Sequence, residues 1–290
     1  MAFPNVKRIL KIGSPLSIYK LLLMAATFSR PKYRALWLGL LWPFVRQGEI
    51  ALRYRCYNRY LDILVRMSDL ESDYLSTLEL GVLDVYEIDR GFHPNLVIDG
   101  GGNIGLFTLR AASAATSVGD DAVRFVICEP LPANVEQIKK NLARNGVNAR
   151  ILPACLGGTD RTIPFYCREA NQSSFDSSKP YTNVMEIPVL LLSDAIGPDP
   201  AERILIKLDI EGMEVEALSS FVPSETRAVY IVGELHEFSK NSSRMEQIFA
   251  DHGWMIEFHG TFDDLSGFRA CSPAALPLLQ SMGSKVHQEV

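Results

Sequence analysis

The chain has 290 residues, of which 47% are hydrophobic and 22% are charged, and this composition indicates one large globular domain, alone or with a smaller appendage. The net charge is −5, but charge is unevenly distributed along the chain. Residues 1–60 contain eleven Lys or Arg and a single acidic residue, Glu49. Such a segment predicts a basic helical layer docked on an acidic domain, or an arm that contacts an anionic partner or a membrane surface.

Residues 1–70 are predicted to form an extension ahead of a domain that spans residues 71–290. Residues 1–48 are predicted to be helical, with breaks at three prolines, Pro15, Pro31 and Pro43. Their apolar stretches are too short to cross a bilayer, so we expect short amphipathic helices that are docked or interfacial. The alternation in residues 49–66 predicts a β-hairpin.

From residue 72 onward the pattern changes to alternating helices and strands. The predicted helices are 72–88, 104–116, 134–146 and 242–253, and the predicted strands are 95–99, 123–130, 149–157, 204–212, 228–237 and 254–260. Regular βα alternation predicts a doubly wound, mostly parallel sheet. The polar segment 171–180 is predicted to be a loop near the site. The five cysteines show no close pairing and are expected to be free thiols in a reducing compartment.

A glycine-rich turn, VIDGGGNIG, connects the first strand of this alternation to its helix. Gly100, Gly102 and Gly105 match G-x-G-x-x-G, in which glycines let the backbone approach a ligand and the helix start offers free N–H groups to an anion. Glu129 ends the next strand, where a carboxylate can accept two hydrogen bonds from a ribose diol. These features predict an adenosine-containing cofactor and leave NAD and S-adenosylmethionine as alternatives.

Charged residues at the strand ends favour S-adenosylmethionine. Asp99, directly before the glycines, would repel a pyrophosphate but suits the ammonium group of methionine. The fourth strand ends in Lys207, Asp209 and Glu211, which are spaced by two and share one face where the strand persists. The fifth strand carries Glu234 and His236, which again share a face. Charges at the end of an apolar strand are costly unless they are used or paired. For Lys207, the alternative is a structural pairing with Asp209 or Glu211.

Four segments carry a resemblance to a known family. The runs VIDGGGNIGLFTLRA, ICEPLPANVEQIKKNL, IPVLLLSDAI and ILIKLDIEGMEVEAL resemble the FkbM-type family of S-adenosylmethionine-dependent methyltransferases, over roughly residues 75–262. The pattern K-x-D-x-E-G-x-E after the fourth strand is the most family-specific signal. The resemblance implies the class I methyltransferase (Rossmann-like) α/β fold, a seven-stranded sheet whose last strand is antiparallel, here with the N-terminal helical and hairpin extension.

The resemblance also implies roles for particular residues. Asp99, Gly100, Gly102 and Asn103 would line the methionine part, Glu129 would hold the ribose, and Asp209 and Glu211 would lie beside the transferable methyl group. The complete predicted cofactor site comprises Asp99, Gly100, Gly101, Gly102, Asn103, Gly105, Glu129, Pro130, Cys155, Leu156 and Asp209. The segment PACLGG departs from the family in lacking an acidic or amide side chain to read adenine, so Ala154 and Cys155 could contact the ring only by backbone and packing.

Methyl transfer to a hydroxyl requires that the acceptor proton be removed. His236 is the first candidate for the general base because an unperturbed imidazole titrates near neutrality, and Asp209 is the second. The predicted catalytic set is therefore His236, Asp209, Glu211 and Lys207. We predict no metal ligands, although Asp209, Glu211, Glu234 and His236 are residue types that could bind Mg²⁺ or Mn²⁺.

The sequence therefore predicts an S-adenosylmethionine-dependent O-methyltransferase that releases S-adenosylhomocysteine and acts on a hydroxyl of a sugar, glycolipid or secondary metabolite. The alternatives are an NAD-linked oxidoreductase and a non-catalytic adenosine-binding subunit. We expect a small-molecule, glycan or glycolipid acceptor as the partner and no nucleic acid. We expect a cytoplasmic location, with dimerisation or contact with the inner membrane surface through the basic segment as open alternatives.

Overall fold

The computed structural model describes residues 48–69, 72–73, 76–77, 85–86, 88–89, 91–117, 119, 122–167, 181–221 and 227–279. The predicted helices of residues 1–48 and the predicted loop 171–180 lie outside these ranges, apart from Gly48, and so does most of the predicted helix 72–88. Among the described residues, no helix combines the length and the apolar character needed to cross a membrane.

The predicted hairpin is confirmed. Strands β1 (Glu49–Cys56) and β2 (Arg59–Arg66) pair in antiparallel register around a two-residue turn. Alternate residues of both strands are buried, as expected when one face of an antiparallel pair meets the core. These buried side chains pack with Ile104, Leu106 and Ile138 of the following domain, so the hairpin and that domain share a hydrophobic core.

Three side-chain amides fasten the hairpin to the second long helix of the domain. Asn145 accepts a hydrogen bond from the N–H of Asp62 and donates one to its carbonyl oxygen, both at 2.9 Å. Asn141 accepts from the N–H of Leu64 at 2.7 Å, and Gln137 donates to the carbonyl oxygen of Leu64 at 2.8 Å. The amides thus complete the backbone pairing of β2 on the side that β1 does not cover.

The seven-stranded sheet has the predicted α/β architecture. Its strands are β3 (Leu96–Gly100), β4 (Arg124–Cys128), β5 (Arg150–Leu152), β9 (Arg203–Leu208), β10 (Ala228–His236), β11 (Met255–Phe262) and β12 (Leu265–Cys271). Numbered along the chain, they lie in the order 3-2-1-4-5-7-6. All neighbours pair in parallel except β12, which is antiparallel to β10 and β11. This is the class I methyltransferase arrangement, with the last strand antiparallel.

The domain contains five α-helices among the residues that the structure describes. They are α1 (Leu106–Ser117), α2 (Pro132–Asn145), α3 (Leu192–Ile196), α4 (Glu214–Ser219) and α5 (Phe238–Asp251). Helix α2 begins at Pro132, whose missing N–H costs nothing in a first turn. It ends at Gly146, which adopts a left-handed φ of 65° and donates to the carbonyl oxygens of Ala143 and Leu142. The helix predicted over residues 134–146 is thus confirmed.

The prediction of one strand over residues 149–157 is wrong. The segment divides into β5 in the seven-stranded sheet and β6 (Cys155–Gly157) in a separate three-stranded sheet with β7 (Arg161–Cys167) and β8 (Asn183–Leu191). Pro153 has no N–H to continue the ladder, and the N–H of Ala154 turns back to the carbonyl oxygen of Leu152 at 2.9 Å. Strands β7, β8 and β12 and helices α3 and α4 were not predicted from the sequence.

Candidate active site

The glycine loop, residues 100–105, lies at the carboxyl edge of the sheet, between the ends of β3, β4 and β9. The N–H groups of Gly101 and Gly102 donate to the carbonyl oxygen of Cys128 at 2.9 and 3.1 Å, which ties the loop to β4. The backbone at Gly101 has a φ of 75°, and a Cβ there would lie 1.9 Å from the carbonyl oxygen of Asp209. Glycine is therefore required at residue 101 by the contact with the turn after β9.

Asp99 is completely buried beneath this loop. Its Oδ2 accepts a hydrogen bond from the Thr108 hydroxyl at 2.8 Å, and its Oδ1 lies 3.5 Å from Lys207 Nζ. Lys207 also donates to the carbonyl oxygens of Gly100 and Gly101. The alternative considered for Lys207 was a pairing with Asp209 or Glu211. In the structure Lys207 pairs with Asp99 instead. The predicted contact of Asp99 with an ammonium group stays a prediction.

Glu129 directly follows β4, and its carboxylate is turned toward the glycine loop. Its Oε2 accepts from the N–H of Asn103 at 2.8 Å, and its Oε1 accepts from the N–H of Leu131 at 3.0 Å and from Asn134 Nδ2 at 3.1 Å. Burial raises the pKa of Glu129 to about 7, against the lowering effect of these hydrogen bonds and of the charge of Lys207. A buried carboxylate at a strand end, turned toward the glycine loop, is the arrangement expected of a binding group.

The remaining predicted cofactor residues surround the loop and Glu129. Pro130 is half-buried directly after Glu129, and Cys155 and Leu156 are buried on β6. A Cβ at Gly100 would lie 2.8 Å from Leu156 Cδ1, so this leucine packs against the loop. Burial raises the pKa of the Cys155 thiol, and the charge of Glu129 adds to that shift. Cys155 is therefore a neutral packing group beside Glu129.

On the other side of the loop, four carboxylates surround one imidazole. We call this the carboxylate–histidine cluster, and it comprises Asp209, Glu211, Glu214, Glu234 and His236. His236 Nδ1 lies 3.0 Å from Glu214 Oε1, and its Nε2 lies 3.6 Å from Glu211 Oε2. Glu214 is completely buried, and its Oε1 also accepts from the N–H groups of Ile210 and Gly212, both at 3.1 Å.

Sequence reasoning missed two residues of this site. Glu214 is the last acid of the K-x-D-x-E-G-x-E pattern, so the signal was present in the motif that identified Asp209 and Glu211. Tyr86 donates a hydrogen bond from its hydroxyl to Asp209 Oδ2 at 3.0 Å. Tyr86 also places its ring beside the Lys207 ammonium, 5.8 Å from the ring centroid. It had no sequence signal, because it precedes β3 and reaches the site only through the fold.

The protonation of His236 differs from the expectation for a free imidazole. Burial alone would lower its pKa, but the charge and hydrogen bond of Glu214, followed by the charges of Glu211 and Asp209, raise it to about 10. In this arrangement His236 is an imidazolium at neutral pH. It must lose a proton before it can act as the predicted general base.

The sequence of the chain matches one protein family over most of the domain. The model described as the methyltransferase FkbM domain matches residues 99–255, which is more than half of the chain. The chain belongs to the FkbM methyltransferase family. No curated protein sequence matched the chain.

Solved structures similar to this FkbM-family methyltransferase share little sequence with it. The methyltransferase FkbM from Methylobacillus flagellatus is 15% identical, with 88% of this chain and 58% of that chain covered and a TM-score of 0.40. A precorrin-6y C5,15-methyltransferase from Geobacter metallireducens is 12% identical, with 65% and 84% covered and a TM-score of 0.37. A T. thermophilus 16S rRNA methyltransferase in complex with AdoMet and guanosine is 15% identical, with 77% and 50% covered and a TM-score of 0.40.

The structure brings the predicted residues of the FkbM-family site into two groups. The first contains the glycine loop, Asp99, Glu129 and Lys207. The second is the carboxylate–histidine cluster, in which ligand atoms of Asp209, Glu234 and His236 lie within 4.8 Å of one another. The two groups meet where the carbonyl oxygen of Asp209 approaches Gly101. A ligand on the loop would therefore lie beside acidic and basic groups able to handle a proton.

Proposed function

We propose that this methyltransferase uses S-adenosylmethionine to methylate a hydroxyl group of a sugar, a glycolipid or a secondary metabolite. The observation that carries the proposal is the contact between Gly101 and Asp209, because it joins a glycine loop suited to a cofactor with a cluster suited to proton removal. Membership of the FkbM family supports methyl transfer over hydride transfer. The choice of a hydroxyl acceptor rests on the acid–base groups of the cluster.

The residues present fit this cofactor. Glu129 is buried, and three N–H donors use only part of the capacity of a carboxylate, which can accept about four hydrogen bonds. Glu129 would hold the ribose hydroxyls, and the loop residues 100–103 would bind the methionine portion through backbone groups. Pro130, Cys155 and Leu156 would border the adenine by packing. When bound, the cofactor supplies a methyl group on a sulfonium, which is a good leaving group.

The chain must then position the acceptor and remove its proton. An aliphatic hydroxyl is too weakly acidic to ionise unaided at neutral pH, so a neighbouring acceptor for the proton is needed. Asp209 is the member of the cluster whose backbone contacts the loop, and Tyr86 holds one oxygen of its carboxylate. Asp209 takes the proton, and His236, held by Glu214 at Nδ1, fixes the acidic side chains around it.

Calorimetry with the full-length protein tests the cofactor. We expect S-adenosylhomocysteine to bind and NADH to give no heat of binding. Methyl transfer is then assayed with labelled S-adenosylmethionine on a panel of sugars and hydroxylated glycolipids. Asp209→Asn should retain S-adenosylhomocysteine affinity within about threefold while losing transfer by at least about 100-fold, as removal of a general base predicts. Binding of NADH without S-adenosylhomocysteine, or full transfer by Asp209→Asn, would contradict the proposal.

A further inference from the structure

Two neighbouring strand ends bring three potential metal ligands together. Asp209 follows β9, while Glu234 and His236 are two residues apart on β10 and so lie on one face of that strand. One ligand atom from each residue lies within 4.8 Å of the others, and all three residues are partly accessible. Atoms at this spacing can share one ion, because metal–oxygen and metal–nitrogen distances are about 2.0–2.6 Å.

Glu214 provides a separate observation behind His236. Its side chain is completely buried, and its Oε2 has no hydrogen-bond partner among the described residues. Its Oε1 holds His236 Nδ1, so a metal ion would bind at Nε2, where it would take the place of the imidazolium proton that now faces Glu211 at 3.6 Å. A metal-bound imidazole commonly has its other nitrogen held by a carboxylate in this way.

Several acidic groups lie around the imidazole. Four carboxylates of the cluster surround His236, and the nearby ammonium of Lys207 is engaged by Asp99 and by two loop carbonyl oxygens. Carboxylates that share one site repel one another, and a cation bound among them weakens that repulsion. A compact divalent ion would offset part of their negative charge.

We propose that Asp209, Glu234 and His236 bind a divalent cation of the Mg²⁺ or Mn²⁺ class. Two carboxylates favour hard ions, and Mn²⁺ also accepts an imidazole. Three protein ligands leave coordination positions for water or for the acceptor. On the proposed function, which this inference extends, an acceptor hydroxyl bound to the ion would have a lowered pKa and would pass its proton more readily to a neighbouring carboxylate.

Binding of Mn²⁺ alone is the direct test. Full-length protein is stripped with EDTA, desalted and titrated with MnCl₂, and free Mn²⁺ is measured by electron paramagnetic resonance. We expect one saturable site in the unmodified protein and at least tenfold weaker binding in Asp209→Asn and in Glu234→Gln. Glu216→Gln is the matched control, because Glu216 is a partly exposed carboxylate that pairs with Arg161 outside the cluster. Its Mn²⁺ affinity should equal that of the unmodified protein.

A second measurement needs no variant and remains informative if a variant fails to fold. The chain has five histidines, so their ring proton signals can be followed by NMR. Substoichiometric Mn²⁺ should broaden the His236 signal before the others, whereas uniform broadening would overturn the inference. Failure of Mn²⁺ to bind protein that binds S-adenosylhomocysteine would also overturn it and leave the proposed function intact. Mn²⁺ binding without S-adenosylhomocysteine binding would uphold the metal site and contradict the proposed function.

Discussion

Lys207 and Asp99 form an ion pair beneath the glycine loop, with 3.5 Å between Nζ and Oδ1 and both side chains almost completely buried. The two residues are direct partners in the parallel pairing of β9 with β3, so the strand register places them side by side. Because Lys207 also donates to the carbonyl oxygens of Gly100 and Gly101, the pair connects the sheet to the loop. Lys207 therefore has a structural task in addition to any role beside the cofactor.

Lys207→Met should strongly destabilise the protein. It leaves Asp99 as a buried carboxylate with Thr108 as its hydrogen-bond donor, and breaking a buried ion pair from one side costs about 3–5 kcal/mol. The free energy of unfolding in urea measures the loss. The double variant Asp99→Asn/Lys207→Met should recover part of it, because the unpaired charge is then absent.

Lys139→Met is the control for that experiment. Lys139 pairs with Glu136 on the exposed face of α2, and such pairs contribute at most about 1 kcal/mol. If Lys207→Met lowered the free energy of unfolding no more than Lys139→Met does, the structural role of the Lys207–Asp99 pair would be refuted.

The sequence was informative wherever the signal was local. Apolar runs that end in a charge located β3, β4, β9 and β10, and the glycine pattern located the loop. These signals work because parallel strands are buried on both faces and their carboxyl ends meet at one edge. They placed Asp99, Glu129 and His236 at this edge as candidate site residues before the fold was known.

What the sequence could not provide was the pairing between distant segments. The alternative considered for Lys207 was a pairing with Asp209 or Glu211, but the register of β9 with β3 gives it Asp99 as a partner 108 residues earlier in the chain. Tyr86 reaches Asp209 from 123 residues away. Glu214 resembles an ordinary acid in the first turn of α4, and its burial depends on β10 bringing His236 over it. Each relationship is set by tertiary packing.

Gly101→Ala should disrupt the loop through the close approach to Asp209. An alanine there carries both the cost of a φ of 75° and a Cβ placed 1.9 Å from a backbone oxygen. We expect at least about tenfold weaker binding of S-adenosylhomocysteine by calorimetry, corresponding to about 1.4 kcal/mol or more.

Gly119→Ala is the control that separates the steric effect of the added Cβ from the conformational cost of a positive φ. Gly119 has a similar φ of 78°, but no atom of the described residues lies within 4 Å of the Cβ that an alanine would add. It should show the conformational cost of about 1 kcal/mol in stability and unchanged cofactor affinity. Equal losses of affinity in the two variants would mean that the contact with Asp209 does not shape the loop.

Asn141→Ala should loosen the hairpin from α2. Asn141 is completely buried and bonds the N–H of Leu64 and the carbonyl oxygen of Ile104, so its removal leaves buried backbone groups without partners. The expected loss in the free energy of unfolding is about 2–4 kcal/mol. Asn148→Ala, at an exposed asparagine, should change it by less than about 0.5 kcal/mol. Equal effects of the two substitutions would show that the hydrogen bonds of Asn141 do not stabilise the hairpin.

Glu129→Gln should remove a pH dependence of stability. Burial raises the pKa of Glu129 from 4.5 to about 7, so between these values the folded protein binds more protons than the unfolded chain. The free energy of unfolding therefore falls as the pH rises through this window, by about 3 kcal/mol in total for this group.

The comparison of unmodified protein with Glu129→Gln at pH 5 and at pH 8 isolates this contribution, because every other titrating group is common to both. A glutamine amide offers fewer acceptor sites than a carboxylate to the N–H groups of Asn103 and Leu131, but that cost does not change with pH. The variant should therefore gain stability relative to the unmodified protein as the pH rises. A constant difference between pH 5 and pH 8 would mean that Glu129 titrates near its ordinary value and that burial does not govern its charge.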